Sequence, residues 1–209
     1  MELSALMEAQ RNYYRTGATR SLAFRELMLD SLYRKIREME PEIHTALQAD
    51  LGKSAFESYM CETGLTLSEI SYMKTHLRDF AAKKRVRTPI AQFPSRSYVL
   101  KEPYGCVLIM SPWNYPFMLT LEPLADAIAA GNTVILKPSA YSPATSAVIK
   151  KLIAAVFPEE YVAVIEGGRA ENQSLLEQKF DYIFFTGGTA VGKLVLQKAA
   201  EHFTPVTLE

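Results

Sequence analysis

Three short stretches of this 209-residue chain carry side chains whose type and spacing could do chemistry. The first is Ser111-Pro112-Trp113-Asn114-Tyr115-Pro116, which holds the only tryptophan and an amide between two prolines. Each proline fixes its own φ, restricts the residue before it and lacks an N–H. A loop stiffened in this way can hold the Asn114 amide in one orientation, as a donor to a developing negative charge must be held. The second is Phe185-Thr186-Gly187-Gly188-Thr189-Ala190-Val191-Gly192-Lys193. Its glycines let the backbone turn tightly and approach a ligand, and a helix starting there offers free N–H groups and a positive dipole end. The spacing from Gly187 to Gly192 is G-x-x-x-x-G, and no Lys-Ser/Thr follows in register, so no standard phosphate fingerprint is met. Alone, the motif reads equally well as a ligand-free turn. The third is Leu136-Lys137-Pro138-Ser139, where Lys137 could donate to hydroxyls or a phosphate. Taken singly, a snorkelling surface lysine explains it better.

The elements around these stretches put them on one edge. Gly105 to Met110 is a short apolar run and reads as a buried strand. Further strands are expected at 133–137, 161–165, 181–185 and 205–208, with helices near 117–130, 143–156, 171–178 and 189–202. Short apolar runs alternating with helices predict an α/β fold, a Rossmann-like open parallel sheet covered on both faces. Ligands of such sheets bind at the carboxyl ends of the strands. Asn114, Lys137 and Gly187 each follow such an end, and their convergence argues for a nucleotide more strongly than any one of them. Glu209 follows the last expected strand. It is ordinarily a solvated residue, but in a piece of a longer protein it would stand beside the site as a general base.

The first part reads as helical. Leu22, Leu29, Leu32, Tyr33, Ile36 and Met39 fall on one face, and Leu67, Ile70, Met73, Leu77 and Phe80 form a second stripe. Pro41 is placed to begin a new helix that Gly52 closes, and Ser54 with Glu57 matches a capping box. Lys83-Lys84-Arg85-Val86-Arg87 reads as a solvated helix end, and Ser97 to Lys101 as a strand or hairpin arm. The expected division is a helical segment at 1–87 packing on the coenzyme domain, an arm at 88–104 and a Rossmann-like unit at 105–209.

Lys plus Arg and Asp plus Glu both number 23, so charge gives no reason to expect nucleic acid or an anionic membrane as partner. Two distant cysteines and three scattered histidines supply neither a disulfide framework nor metal-ligand spacing. No basic-then-apolar leader opens the chain, and no window is long and apolar enough to span a bilayer. A cytoplasmic, soluble protein is the expectation.

Pro112-Trp113-Asn114-Tyr115-Pro116, Gly131-Asn132-Thr133-Val134-Ile135-Leu136-Lys137-Pro138-Ser139, Phe185-Thr186-Gly187-Gly188-Thr189 with Gly192-Lys193, and Val206-Thr207-Leu208-Glu209 resemble the aldehyde dehydrogenase superfamily in order and spacing. Asp50-Leu51-Gly52-Lys53-Ser54 and the run from Leu65 to Ile70 resemble its class 3 branch, which includes fatty and aromatic aldehyde dehydrogenases. The resemblance implies a cysteine thiolate that attacks an aldehyde, hydride transfer to NAD or NADP, and hydrolysis of the resulting thioester. It implies that Asn114 is the side-chain donor of the oxyanion hole and that Glu209 activates the nucleophile or the water. It places Lys137 on the adenosine ribose, with Ser139 beside it, and Trp113, Thr186, Gly187, Gly188 and Gly192 along the coenzyme phosphates. The arm at 88–101 could serve a subunit contact or, equally well, be a plain connecting ribbon, and on the first reading a homodimer is expected for the full-length enzyme.

Two departures modify these expectations. Family members continue past a Glu209-like residue into a domain carrying the nucleophile, and neither Cys61 nor Cys106 matches that role. The 209 residues therefore resemble an N-terminal, coenzyme-binding portion that would not oxidise aldehydes alone. Ala140 stands where NAD-preferring relatives often carry glutamate, which predicts tolerance of a 2′-phosphate, and Gly188 stands where many have serine. Two other readings fit less well: an acylating relative using CoA or phosphate, which Glu209 disfavours, and a non-catalytic nucleotide-binding module.

Overall fold

A computed structural model describes residues 2–209. Helix α1 (Leu3–Arg15) leads through a turn to α2 (Leu22–Leu51), and α3 (Ala55–Ser58) runs through a π-helical turn at Tyr59–Thr63 into α4 (Gly64–Ala81). Strands β1 (Lys84–Val86) and β2 (Ser97–Val99) form a separate antiparallel ribbon. Then strand and helix alternate: β3 (Cys106–Met110), α5 (Met118–Ala130), β4 (Thr133–Lys137), α6 (Pro143–Val156), β5 (Val162–Val164), α7 (Arg169–Leu176), β6 (Tyr182–Phe185), α8 (Thr189–Ala200) and β7 (Val206–Leu208).

The five strands β3 to β7 form one parallel sheet in the order β5-β4-β3-β6-β7. Side chains alternate across it. Val107 and Ile109 of β3 face a core built with α2, α4, α5 and α6, while Cys106, Leu108 and Met110 face α1, α7 and α8. Both faces are covered, so the strands read as unbroken apolar runs. Leu29, Leu32, Ile36 and Ile43 of α2 are fully buried, each stabilising the fold by roughly 1.5–3 kcal/mol.

Two local expectations are overturned. Pro41 does not start a helix; it lies inside the 30-residue α2. It sits on the solvent face, so the carbonyl its missing N–H would have paired can turn to water. The 84–86 segment is not a solvated helix end but a strand, whose Lys84, Arg85 and Val86 pair with Val99, Tyr98 and Ser97. With both faces of the ribbon open to solvent, alternating burial is absent and the charged pattern conceals the strand. Gly52 does end α2, with φ +69°, and the Ser54 side chain accepts from the Glu57 amide. Among the described residues, no helix is long and apolar enough to cross a membrane.

Candidate functional site

The sheet registers bring the three chemical stretches to one edge. Met110, the last residue of β3, pairs with Lys137 on one side and Phe185 on the other, and Phe185 pairs with Leu208. Backbone bonds continue the alignment: Ser111 N to Lys137 O at 3.3 Å, Thr186 N to Met110 O at 3.0 Å, and Gly187 N to Glu209 O at 3.0 Å. The chain leaves β3 for β4 and β5 on one side, then returns to β6 and β7 on the other. The ends of β3 and β6 therefore mark the switch point, where open sheets form a crevice.

A cleft of about 400 Å³ lies there, walled by Ser111, Lys137, Ser139, Gly167, Asn172 and Val191. It continues into a more apolar groove of about 500 Å³ between α7 and α8, lined by Leu176, Val191 and Leu194. Lys137 is not a snorkelling surface lysine: only 3% of it is exposed. Its ammonium donates to the Pro138 carbonyl at 2.8 Å and across the cleft to the Gly167 carbonyl at 2.6 Å. Three N–H donors less two partners leave one for a ligand. Burial pulls its pKa below the usual lysine value, opposed by Glu171 and Glu166. Ser139 Oγ accepts from the Tyr141 amide at 3.2 Å, which fixes the turn around Ala140.

The opposite wall is the β5–α7 loop. Gly167 has φ +133°, and a Cβ there would lie 2.4 Å from the Glu171 carboxyl. That carboxyl accepts from the Gly168 amide at 2.6 Å, and the Glu171 and Gly168 amides hold its pKa below the usual carboxylate range. Asn172 Oδ1 is buried at the cleft wall with no hydrogen-bond partner. An orphaned acceptor in a cleft fits a ligand hydroxyl or amine.

Gly187 and Gly188 are exposed and lead into α8, with Gly188 at its N-cap, while Gly192 packs near Phe185. The Thr186 hydroxyl donates to Glu209 Oε2 at 3.3 Å. Trp113 and Asn114 are exposed at the end of β3 and do not line the cleft. The Asn114 side chain makes no hydrogen bond among the described residues. Its backbone carbonyl accepts from Lys53 Nζ at 3.0 Å.

Several residues escaped the sequence reading. Asp50 accepts from the Ala144 and Thr145 amides at 3.1 and 2.7 Å, capping α6. Lys53 and the fully buried Glu62 form an ion pair of 2.5 Å under the Asn114 loop. Gly167, Gly168 and Asn172 were also unread. The run Asp50-Leu51-Gly52-Lys53-Ser54 held part of the signal, since four of its five residues now have structural tasks.

A parallel α/β sheet with a crevice at its switch point, a buried lysine and a glycine turn opening a helix defines the class of dinucleotide-type folds. Within that class the Aldehyde dehydrogenase family profile matches residues 2–209, and the chain belongs to that family. It is 48% identical over 197 residues to the 4,4'-diaponeurosporen-aldehyde dehydrogenase of Staphylococcus aureus, covering 94% of this chain and 43% of that protein. It is 43% identical over 199 residues to aldehyde dehydrogenase family 3 member A2 of Mus musculus, covering 95% and 41%. The solved substrate-bound state of Staphylococcus aureus AldH superposes with a TM-score of 0.97 at 45% identity, covering all of this chain and 46% of that one. A Mycobacterium tuberculosis aldehyde dehydrogenase complexed with NAD+ gives 0.85 at 28% identity, covering 97% and 42%. The chain thus spans less than half the length of these relatives.

Proposed function

We propose that these residues are the coenzyme-binding part of an NAD(P)-dependent aldehyde dehydrogenase that oxidises aldehydes to carboxylic acids. The observation that carries this reading is the shared strand-end edge that Lys137, Phe185 and Leu208 mark, followed by Asn114, Gly187 and Glu209, beside a cleft with one uncommitted Lys137 donor and an orphaned Asn172 acceptor. The cleft fits a dinucleotide. Lys137 and Asn172 offer a donor and an acceptor to ribose hydroxyls or a base, with Ser139 supporting the turn beside Lys137. The amides that begin α8 beyond Gly187 and Gly188 offer donors to phosphates, flanked by Thr186, Gly192 and Trp113. Bound there, NAD(P)+ would supply the hydride acceptor. Absence of a carboxylate at Ala140 suits either coenzyme. The relative solved with NAD+ supports the assignment.

Asn114 would donate to the oxygen of the reacting carbonyl as its charge develops. Glu209 would take a proton from the nucleophile or the hydrolytic water. The thiol would come from outside the described residues. Cys61 lies in the π-helical turn, and Cys106 is buried in β3, where burial pushes its thiol pKa up to about 12. A division into a helical segment (1–87), an arm (88–104) and a nucleotide unit (105–209) belongs to the same reading, as do a cytoplasmic setting and a homodimer. The exposed Val86, Tyr98, Val99 and Leu100 on and beside the ribbon support a subunit contact.

Calorimetry of the 209-residue chain with NAD+ and NADP+ tests binding. Coenzyme reduction by the full product of its gene with fatty and aromatic aldehydes tests activity. Neither coenzyme binding would remove the reading. Binding without aldehyde oxidation would leave the non-catalytic module, and activity only with CoA as acceptor would indicate the acylating alternative.

A further inference from the structure

The Asn114 corner is gripped from below by two residues of the N-terminal helical region. Gly52 turns the chain out of α2, so that Lys53 points under the loop, and the π-helical turn carries Glu62 beside it. Lys53 is 7% exposed and Glu62 not at all. The Lys53 ammonium touches Glu62 Oε1 at 2.5 Å and the Asn114 carbonyl at 3.0 Å, and it lies 4.1 Å from the centre of the Tyr115 ring. Glu62 Oε2 accepts from the Phe117 and Met118 amides at 2.9 and 3.0 Å. These are free N–H groups at the start of α5, and no side chain of the neighbouring N-cap residue, Phe117, serves them.

The segment 114–118 is therefore clamped at both ends by one buried pair. Pro112 and Pro116 fix their own φ angles and restrict Ser111 and Tyr115, but by themselves they do not fix φ and ψ of Trp113 and Asn114. The bond from Lys53 to the Asn114 carbonyl removes that freedom and sets the direction in which the Asn114 side chain leaves the backbone. Capping of α5 does not require this bond, since Glu62 alone performs it. Replacing a buried pair by apolar residues of the same volume is often neutral or stabilising, so stability alone does not account for this one.

We propose that Lys53 and Glu62 are positioning residues that hold the Asn114 amide in its reactive orientation. This rests on the reading of Asn114 as the oxyanion donor, and its test separates the two. Trp113, the only tryptophan, adjoins Asn114 and is 53% exposed, so its fluorescence reports on the corner in the chain as it stands. In Lys53→Met and in Lys53→Met/Glu62→Gln, acrylamide quenching of Trp113 should rise about twofold as the corner fluctuates on the nanosecond scale. Lys53→Arg, which keeps a donor and a charge, should restore part of the protection. A core variant, Leu152→Ala, assayed at the same interval below its own Tm, should leave quenching unchanged. Equal quenching in the wild type and both Lys53→Met proteins overturns the clamp, whatever the activity.

In the full gene product, Lys53→Met should lower kcat about 10- to 100-fold, approaching the loss of an oxyanion donor, with the coenzyme Kd unchanged. In an Asn114→Ala background the same substitution should add little, because the two act through one group. Full additivity overturns the positioning role. A wild-type product that oxidises no aldehyde defeats the proposed function, while the quenching comparison still decides the clamp.

Discussion

A Cβ placed on Gly187 would lie 2.6 Å from Cζ of the buried Phe185 ring, whereas one placed on its neighbour Gly188 would meet nothing within 4 Å. The two adjacent glycines therefore have different reasons to be glycine. Gly187→Ala must push the Phe185 ring out of the space beneath α8, an overpacking cost of about 1–3 kcal/mol. Thermal or urea unfolding should show that loss. Gly188→Ser should change stability by less than about 0.5 kcal/mol, as an unhindered exposed site does. Coenzyme affinity, measured by calorimetry, should hold or rise for Gly188→Ser and fall for Gly187→Ala.

Asn172 gives a second prediction, because its Oδ1 is buried at the cleft wall and lacks a partner. Asn172→Leu should leave the unfolding midpoint nearly unchanged, since no hydrogen bond of the free protein is lost. Binding of NAD+ or NADP+ should weaken by about 0.5–1.5 kcal/mol, the net worth of one hydrogen bond. Equal affinity in both proteins would exclude Asn172 as a coenzyme contact.

The two thiols should react on different timescales. Cys106 is 1% exposed, its Sγ contacts Gln10 Oε1 at 3.2 Å, and its pKa is pushed up to about 12. Cys61 is partly exposed. An aromatic disulfide reagent at pH 8 should titrate one thiol in the native protein and two in denaturant. The second reaction should follow the rate at which the protein opens.

A pH dependence follows from α5. Asp126 faces Glu69 and Glu122, and burial followed by repulsion from Glu69 raises its pKa to about 7. A carboxyl with a raised pKa binds its proton more tightly in the folded state. Stability is therefore greatest below the unfolded value and falls as pH rises through about 4 to 7. Neighbouring atoms of α4 and α5 crowd the carboxyl, yet much of the residue's surface still meets solvent, so screening holds the effect to less than about 1 kcal/mol. Asp126→Asn should flatten this slope and stabilise the protein at pH 8 but not at pH 4, as urea midpoints at the two values will show.

Strands β3 and β4 and helix α6 were legible because apolar runs of about five residues stand between Gly, Asn and Pro signals that act locally. Lys53 and Glu62 were not, because the partners of that pair lie 61 and 55 residues away and a π-helical turn has no simple sequence signature. Lys137 could be placed at a strand end from spacing alone. Its burial depended on Gly167, 30 residues later, whose carbonyl closes over it. Pro41 misled because its cost in a helix depends on which face it occupies, and α2 turns that face to solvent.

Met110 pairs with Lys137 and Phe185 at once, so hydrogen-bond register rather than loop length sets where the strand-end cleft opens. Residues inserted into the connections after α5, α6 or α8 would lengthen the far end of the sheet and leave the cleft edge in place. Loops at that far end can therefore change in length and sequence without moving Lys137 relative to Met110 and Phe185. A slip of one residue along β3 would turn every side chain of that strand to the opposite face, and no compensating loop could restore it.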